Sequence, residues 1–123
     1  MTNSAESTPK GPLISRLIAW MNERFPLENA VLFVVLYVAA LSVGRALTTT
    51  GEVVWTAMDA AAFLATWCFF LMLRVFDEHK DYELDCHNHP DRVLQSGQIT
   101  LGHLKVLGVI AILTQIGFSV ALD

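Results

Sequence analysis

The stretch VVWTAMDAAAFLATWCFFLMLRVF, residues Val53–Phe76, carries only two charged side chains, Asp59 and Arg74. A helix needs about 20 mostly apolar residues to cross the hydrocarbon core of a bilayer, and this stretch meets that length. It is too long for a buried strand, and it is apolar around most of its circumference, as lipid-facing helices are. The stretch therefore predicts a membrane-spanning helix.

Two further apolar runs flank this one: AVLFVVLYVAALSVGRAL before it, at Ala30–Leu47, and LKVLGVIAILTQIGFSVAL after it, at Leu104–Leu122. The chain is 54% hydrophobic and 16% charged, whereas soluble domains have about 25% charged residues. A buried helix of a soluble protein is the alternative for each run, but three such runs in one short chain favour a membrane. We predict an all-α membrane helical bundle with three transmembrane helices, at about residues 30–47, 53–76 and 104–122.

The residues before the first apolar run divide into a polar tail and a mixed segment. MTNSAESTPKGP contains many Ser, Thr, Pro and Gly residues and predicts a disordered tail. In PLISRLIAWMNERF, Pro12–Phe25, apolar residues recur near helical spacing, which fits either an interfacial amphipathic helix or a plain linker. Residues 1–28 are therefore assigned to the tail and this segment, and residues 29–123 to the membrane domain.

The distribution of charge predicts an orientation and argues against one class of partner. The formal net charge is −4, so nucleic acid is not an expected partner. The connection TTTGE has no Lys or Arg, whereas the insert at residues 77–103 contains Lys80 and Arg92, and positive residues favour the cytoplasmic side. We expect an integral protein of the bacterial inner membrane, with the N-terminus and the insert cytoplasmic and with TTTGE and Asp123 outside.

Two ionisable residues fall inside the predicted spans, where a charge needs an explanation. Arg45 lies near the outer end of the first span, and Asp59 lies near the outer end of the second. Either the two side chains pair across the helical hairpin, or Arg45 snorkels to the membrane surface while Asp59 stays independently at the interface.

Three aspartates follow the second span at an interval of four residues: Asp77, Asp81 and Asp85. If the helix continues beyond the span, each four-residue step returns to within about 40° of the same face, so the aspartates form one acidic stripe. Like charges at this spacing repel, and a bound cation relieves the repulsion. Glu78 and Glu83 point about 100° or more from the stripe, and we expect their replacement by Gln to change the reaction rate little.

Carboxylates in such a stripe suit Mg²⁺, which commonly binds one or two of them together with substrate phosphates. Arg92 lies downstream, and its planar guanidinium can bind phosphate oxygens. The pattern indicates a magnesium-bridged diphosphate site, with Asp77, Asp81 and Asp85 on the metal and with Arg92 and Asp77 on the diphosphate. A solvated acidic loop is the competing interpretation. A zinc site is a weaker one, because its ligands are too crowded for the usual spacing: Cys86, His87 and His89.

The segment DEHKDYELDCHNHPDRVLQSGQIT, residues 77–100, resembles the first aspartate-rich region of the UbiA superfamily of intramembrane prenyltransferases. That region runs N-x-x-x-D-x-x-x-D, then a stretch with Asn, Pro and a basic residue, then a Ser/Gly-Gly-x-Ile turn. Asp77 stands where the family usually has Asn, and Val93 follows the arginine where the family has proline. The matching positions are Asp81, Asp85, Asn88, Pro90, Arg92, Ser96, Gly97 and Ile99.

The resemblance implies an all-α bundle of about nine membrane helices, of which these spans form the first third. It implies that Asp81 and Asp85 are catalytic aspartates, which bind Mg²⁺ and a prenyl diphosphate whose prenyl group passes to an aromatic or other lipid-soluble acceptor. Family members use two aspartate-rich motifs, but after Asp91 the only acidic residue here is Asp123. We therefore expect a chain that is inactive alone: an N-terminal fragment, a truncated gene product, or one piece of a split enzyme whose remaining helices come from a second chain.

Two other functions stay open as alternatives. A non-catalytic three-helix membrane protein, whose insert binds a partner or anionic lipid headgroups, is favoured by the lack of a second acidic motif. A CDP-alcohol phosphotransferase also uses membrane aspartates, but its pattern needs Asp-Gly and Ala-Arg pairs that MLRVFDEHKDYELD lacks.

Overall fold

The computed structural model describes residues 8–48, 50–52 and 54–122. Within them the chain forms five helices and no strand: α1 at Leu13–Arg24, α2 at Leu27–Thr48, α3 at Ala57–Lys80, α4 at Tyr82–Asn88 and α5 at Leu101–Leu122. Three of these helices, α2, α3 and α5, are long and apolar enough to cross a membrane. The predicted all-α fold is confirmed. The expected disorder of the first seven residues, the start of a span at Val53 and the outside position of Asp123 lie outside the described residues.

Local signals set the ends of the second spanning helix. The side chains of Thr56 and Asp59 each cap a backbone N–H of the first turn, which forms a capping box at the start of α3. The helix therefore begins at Ala57, four residues after the expected start of the span. At its other end it continues past Phe76 to Lys80, so the acidic stripe starts on a regular helix.

The core lies where α1, α3, α5 and the connection before α5 meet. Here α3 packs mainly against α5. Gly108 makes that contact close, because a Cβ atom at this position would lie 3.2 Å from Cγ1 of Val75. Full burial of a large apolar side chain contributes about 1.5–3 kcal/mol. The largest apolar side chains that are fully buried are Trp20, Val75, Leu94, Ile99 and Leu104.

The helix α2 is attached in a different way, since none of its residues is buried. It meets α3 through aromatic pairs: Phe33 stacks on Phe70 with ring centroids 4.6 Å apart, and Tyr37 meets Phe63 edge-on at 5.5 Å. Pairs of this kind contribute about 0.5–1.5 kcal/mol beyond the area they bury. Much of the apolar surface of α2 is therefore left for lipid or for other helices.

The segment before α2 is a helix, which removes the plain linker as an interpretation. One face of α1 buries Trp20 completely, while Ile14 and Ile18 on another face are exposed. The helix ends before Pro26, whose ring has no N–H to continue the backbone ladder. An amphipathic helix of this kind suits a membrane surface, and that location stays a prediction.

Side chains of α1 also fix the connection between α4 and α5. Arg16 donates from Nη1 to the carbonyl of Gln98 at 2.6 Å, and the N–H of Val93 donates to Oε1 of Glu23 at 3.1 Å. Gly97 adopts a φ of +85° in the turn between them, a conformation that strains any residue with a Cβ. These contacts hold the connection in one place beside α1.

Candidate functional site

The three aspartates lie where α3 ends and the short helix α4 begins. Asp81 joins the helices with φ −98° and ψ 8°, in the region that bridges helical and extended conformations. Backbone hydrogen bonds keep helical spacing across it: the Asp81 N–H donates to the Asp77 carbonyl at 2.9 Å, and the Asp85 N–H donates to the Asp81 carbonyl at 2.8 Å. The acidic stripe, Asp77, Asp81 and Asp85, therefore keeps the register expected from the sequence.

Each aspartate of the acidic stripe has a basic side chain near it. Exposure falls along the stripe, from 52% for the Asp77 side chain to 42% for Asp81 and 14% for Asp85. The two exposed pairs are long contacts, and exposed pairs contribute about 0–1 kcal/mol. Only the pair at the buried end has the length of a hydrogen bond. The nitrogen–oxygen distances are 3.9 Å for Arg74 and Asp77, 3.8 Å for Lys80 and Asp81, and 3.2 Å for Arg92 and Asp85.

The carboxylates of the stripe fit a cation that completes its shell with water and phosphate, as Mg²⁺ does. Successive stripe residues rise about 6 Å along the helix axis, so two neighbours can reach one ion. In the described part of the chain, no group of three or more His, Cys, Asp or Glu side chains is placed to hold a single metal ion. The histidines and the cysteine of the insert form no such group either, within the residues that the structure describes. A site on this face therefore depends on oxygens that the ligand supplies.

The fold brings Arg92 back onto the stripe. The connection after α4 turns at this point, with the Arg92 N–H donating to the His89 carbonyl at 3.3 Å and the Ser96 N–H donating to the Arg92 carbonyl at 2.8 Å. The turn places the guanidinium against Asp85. Of the predicted diphosphate residues, Arg92 thus lies at the buried end of the stripe and Asp77 at the exposed end.

Glu78 has a structural role that the sequence pattern did not indicate. Its side chain is buried, and Nε of Arg24 donates to its Oε1 at 2.6 Å, which joins α1 to α3. Among the described residues its Oε2 has no hydrogen-bond partner. A buried carboxylate is costly unless it is paired, so Arg24 stabilises this arrangement. One signal was available, because Glu78 lies at helical spacing from Leu71 and Val75, which are buried core residues.

Arg45 and Asp59 pair across the hairpin at the opposite end of α3. Arg45 donates from Nη1 to Oδ2 at 3.1 Å and from Nη2 to Oδ1 at 2.5 Å. The same Oδ2 accepts the N–H of Thr56 at 2.7 Å. Asp59 therefore caps its own helix and holds α2, and the paired alternative from the sequence is the one found.

A recess lies beside the acidic stripe, between the start of α2 and the last turns of α3. Its volume is about 170 Å³. Polar side chains line it near the stripe, and aromatic side chains line it one helical turn further into the spans. The lining residues are Arg24, Phe25, Asn29, Phe33, Phe70, Leu73, Arg74 and Asp77.

Comparison with known proteins finds one short similarity. Over 49 residues the chain is 43% identical to a protein of Chloroflexus aurantiacus, the bacteriochlorophyll synthase 34 kDa chain. The matched stretch is 40% of this chain and 15% of that protein. No family model matches the chain, and no solved structure matches it. The similarity therefore concerns a small part of a much longer protein.

Proposed function

We propose that this chain carries the diphosphate-binding part of a membrane prenyltransferase of the UbiA type. Such an enzyme moves an isoprenyl group from a prenyl diphosphate to an aromatic or other lipid-soluble acceptor. The acidic stripe at the end of a spanning helix, with Arg92 folded onto it, is the observation that carries the proposal. The similarity to a bacteriochlorophyll synthase, which belongs to the same superfamily, supports it.

In this proposal, Asp81 and Asp85 bind Mg²⁺ with two carboxylates one turn apart. Asp77 is a weaker third ligand that reaches the ion through water, since Mg²⁺ keeps several waters of its shell. A bound Mg²⁺ supplies positive charge to the diphosphate as it leaves. Arg92 orients Asp85 through their 3.2 Å contact and presents its planar fork to the phosphate oxygens. The buried end of the stripe is thus preorganised, which favours binding of the charge that develops during departure.

The remaining wall of the catalytic cavity is proposed to come from helices beyond these residues, in the same chain or in a second one. Three helices cannot surround a long prenyl chain and exclude water from it. The apolar surface of α2, which buries none of its residues here, is available for such helices. The chain also spans 15% of the length of the synthase that it matches.

The proposed orientation places the stripe on the cytoplasmic side and the connection between α2 and α3 outside. In a variant without native cysteines, Ser96→Cys should react with an impermeant thiol reagent only from the cytoplasmic side. Gly51→Cys should react only from the outside. The reverse pattern of labelling would contradict the orientation that the basic residues predict.

A second candidate is a non-catalytic membrane protein whose insert binds a partner. The observation that favours it is the basic neighbour beside every aspartate of the stripe, since the charges are already partly balanced. In this case the stripe is a solvated surface and has no preference for a divalent cation.

Metal binding separates the two candidates. Mn²⁺ serves as a paramagnetic substitute for Mg²⁺, and its binding to the purified chain in detergent is followed by electron paramagnetic resonance. We expect Asp81→Asn to weaken Mn²⁺ binding more than tenfold, because it removes one charged ligand. Glu83→Gln is the matched control, since Glu83 is exposed on α4 but lies off the stripe. Equal small effects of both variants would reject the metal site and favour the second candidate.

A further inference from the structure

The recess beside Asp77 has the character of a phosphate site, and nothing described so far assigns it a ligand. We propose that it receives the terminal phosphate of the prenyl diphosphate, with Arg74 as the main phosphate-binding residue. This inference rests on the proposed function and deepens it, because it moves the principal basic ligand from Arg92 to Arg74.

Within the described residues, the N–H donors of Arg74 have few acceptors. Its Nη1 is 3.9 Å from Asp77 Oδ2, which is longer than a hydrogen bond. Its Nε is buried and has no hydrogen-bond partner there. A guanidinium carries five N–H donors in a fork that matches phosphate geometry. Arg74 therefore has N–H donors available for a phosphate, and it lines a cavity of about 170 Å³.

The other basic residues near the stripe are engaged more tightly. Arg24 also lines the recess, but its Nε donates to Oε1 of the buried Glu78 at 2.6 Å. Arg92 contacts Asp85 at 3.2 Å at the far end of the stripe. Arg24 thus contributes a positive charge whose position is fixed by Glu78. Within the described residues, Arg74 is the basic side chain of the recess whose ion pair is longer than a hydrogen bond.

The charges around the recess predict that phosphate binding needs a metal. Arg24 and Arg74 contribute two positive charges, and Asp77 and the neighbouring Glu78 contribute two negative charges. The net charge of these four side chains is zero, so a diphosphate without a metal gains little electrostatic binding energy. A divalent cation bound by Asp81 and Asp85, with Asp77 as its weaker ligand, shifts the balance toward positive charge and favours binding of a diphosphate in the recess.

The apolar side of the recess indicates that the ligand has an apolar tail attached to its phosphate. Phe25 and Phe33 have ring centroids 6.3 Å apart, and Phe33 stacks on Phe70 at 4.6 Å. These rings continue from the polar rim into the spans, so a ligand with a phosphate head and an apolar tail fits both parts. A prenyl diphosphate and an anionic phospholipid share that chemistry, and the adjacent Asp77 favours the ligand that arrives with a divalent cation.

The test measures binding of inorganic pyrophosphate to the purified chain in detergent at saturating Mg²⁺, by isothermal titration calorimetry. Arg74→Gln should raise the Kd for pyrophosphate at least tenfold and leave Mn²⁺ binding within twofold. Arg74→Lys should recover part of the loss, because the charge returns without the planar fork. Lys105→Gln, the matched control, should raise the Kd less than threefold, because Lys105 is an exposed basic residue of α5 that lines neither the stripe nor the recess. Arg92→Gln should raise the Kd less than Arg74→Gln does. Circular dichroism of each variant shows that its helices are retained.

The outcomes separate this inference from the proposed function. If Arg92→Gln weakens pyrophosphate binding and Arg74→Gln does not, the recess is not the phosphate site, while the metal site stands. If the chain binds Mn²⁺ at Asp81 but no pyrophosphate, the inference again fails alone. If Asp81→Asn leaves Mn²⁺ binding unchanged, the proposed function itself fails. If phosphatidylglycerol vesicles bind the chain equally well with and without Mg²⁺, and Arg74→Gln weakens that binding, the occupant of the recess is a lipid headgroup and the inference is overturned.

Discussion

Asp77 and Glu78 are neighbours in the chain, but they occupy opposite environments. The Asp77 side chain is 52% exposed, and its nearest basic group is 3.9 Å away. The Glu78 side chain is fully buried and accepts a hydrogen bond of 2.6 Å from Arg24. One residue along a helix is a rotation of about 100°. That rotation separates a carboxylate that can accept a ligand from one that joins two helices.

The difference shows that the exposed and the buried side of this helix end have different roles. Exposed pairs such as Arg74 and Asp77 contribute about 0–1 kcal/mol, so the stripe can exchange a basic neighbour for a cation at little cost. Removing one partner of a buried pair costs about 3–5 kcal/mol, because the other charge is left without compensation. Substitutions on the exposed side should therefore change ligand binding, and substitutions on the buried side should change stability.

The largest expected effect tests the exposed side. In a complete enzyme that carries this segment, Asp81→Asn should lower the rate by roughly a thousandfold, which is about 4 kcal/mol of transition-state stabilisation. The substitution keeps the size of the side chain and removes its charge. Asp77→Asn should cost much less, because the UbiA pattern that this segment resembles has Asn at that position. Initial rates across a Mg²⁺ titration measure both effects, and equal losses for the two variants would contradict the prediction.

The next effect tests the buried side. Glu78→Gln should lower the free energy of unfolding by about 3 kcal/mol, because Arg24 loses its charged partner in a buried site. Mn²⁺ binding to the folded variant should stay unchanged. Thermal unfolding in detergent, followed by circular dichroism, measures the loss, and Glu83→Gln is the exposed control. If Glu78→Gln weakened Mn²⁺ binding and left the free energy of unfolding unchanged, the roles of the exposed and the buried side would be the reverse of those predicted.

The smallest effect concerns the connection that carries Arg92. Gly97→Ala should destabilise the chain by about 1–2 kcal/mol, because alanine is strained at a φ of +85°. Gly51→Ala is the control, since a Cβ there meets nothing within 4 Å and the backbone is not in the left-handed region. The same unfolding measurement applies. An unchanged midpoint for Gly97→Ala would mean that the connection relaxes into another turn.

The helices and the acidic stripe were predictable because they depend on local periodicity. Apolar length predicted the three spans, and a four-residue interval placed Asp77, Asp81 and Asp85 on one face. The start of α3 was also readable, since Thr56 and Asp59 have the spacing of a capping box ahead of an apolar run. This spacing places the start of the helix at Ala57, where the structure has it.

The buried pair and the recess were not predictable in the same way. Arg24 and Glu78 are far apart in sequence, and their contact exists only because α1 packs across the end of α3. The recess needs side chains from the corner before α2 and from α3 at once. The position of Arg92 against Asp85 also depends on the turn between them. Periodicity within one helix cannot supply contacts that several elements create together.

The pair formed by Arg45 and Asp59 has a consequence for the biogenesis of the protein. A lone charged side chain raises the free energy of insertion by about 2.5–3.5 kcal/mol at the centre of a spanning helix, and by less near the helix ends, where Arg45 and Asp59 lie. Here the two charges are joined by two hydrogen bonds across the hairpin, and Asp59 also accepts a backbone N–H. If the first two spans enter the membrane as a paired hairpin, these two charges neutralise each other, and inserting the pair costs less free energy than inserting each helix alone.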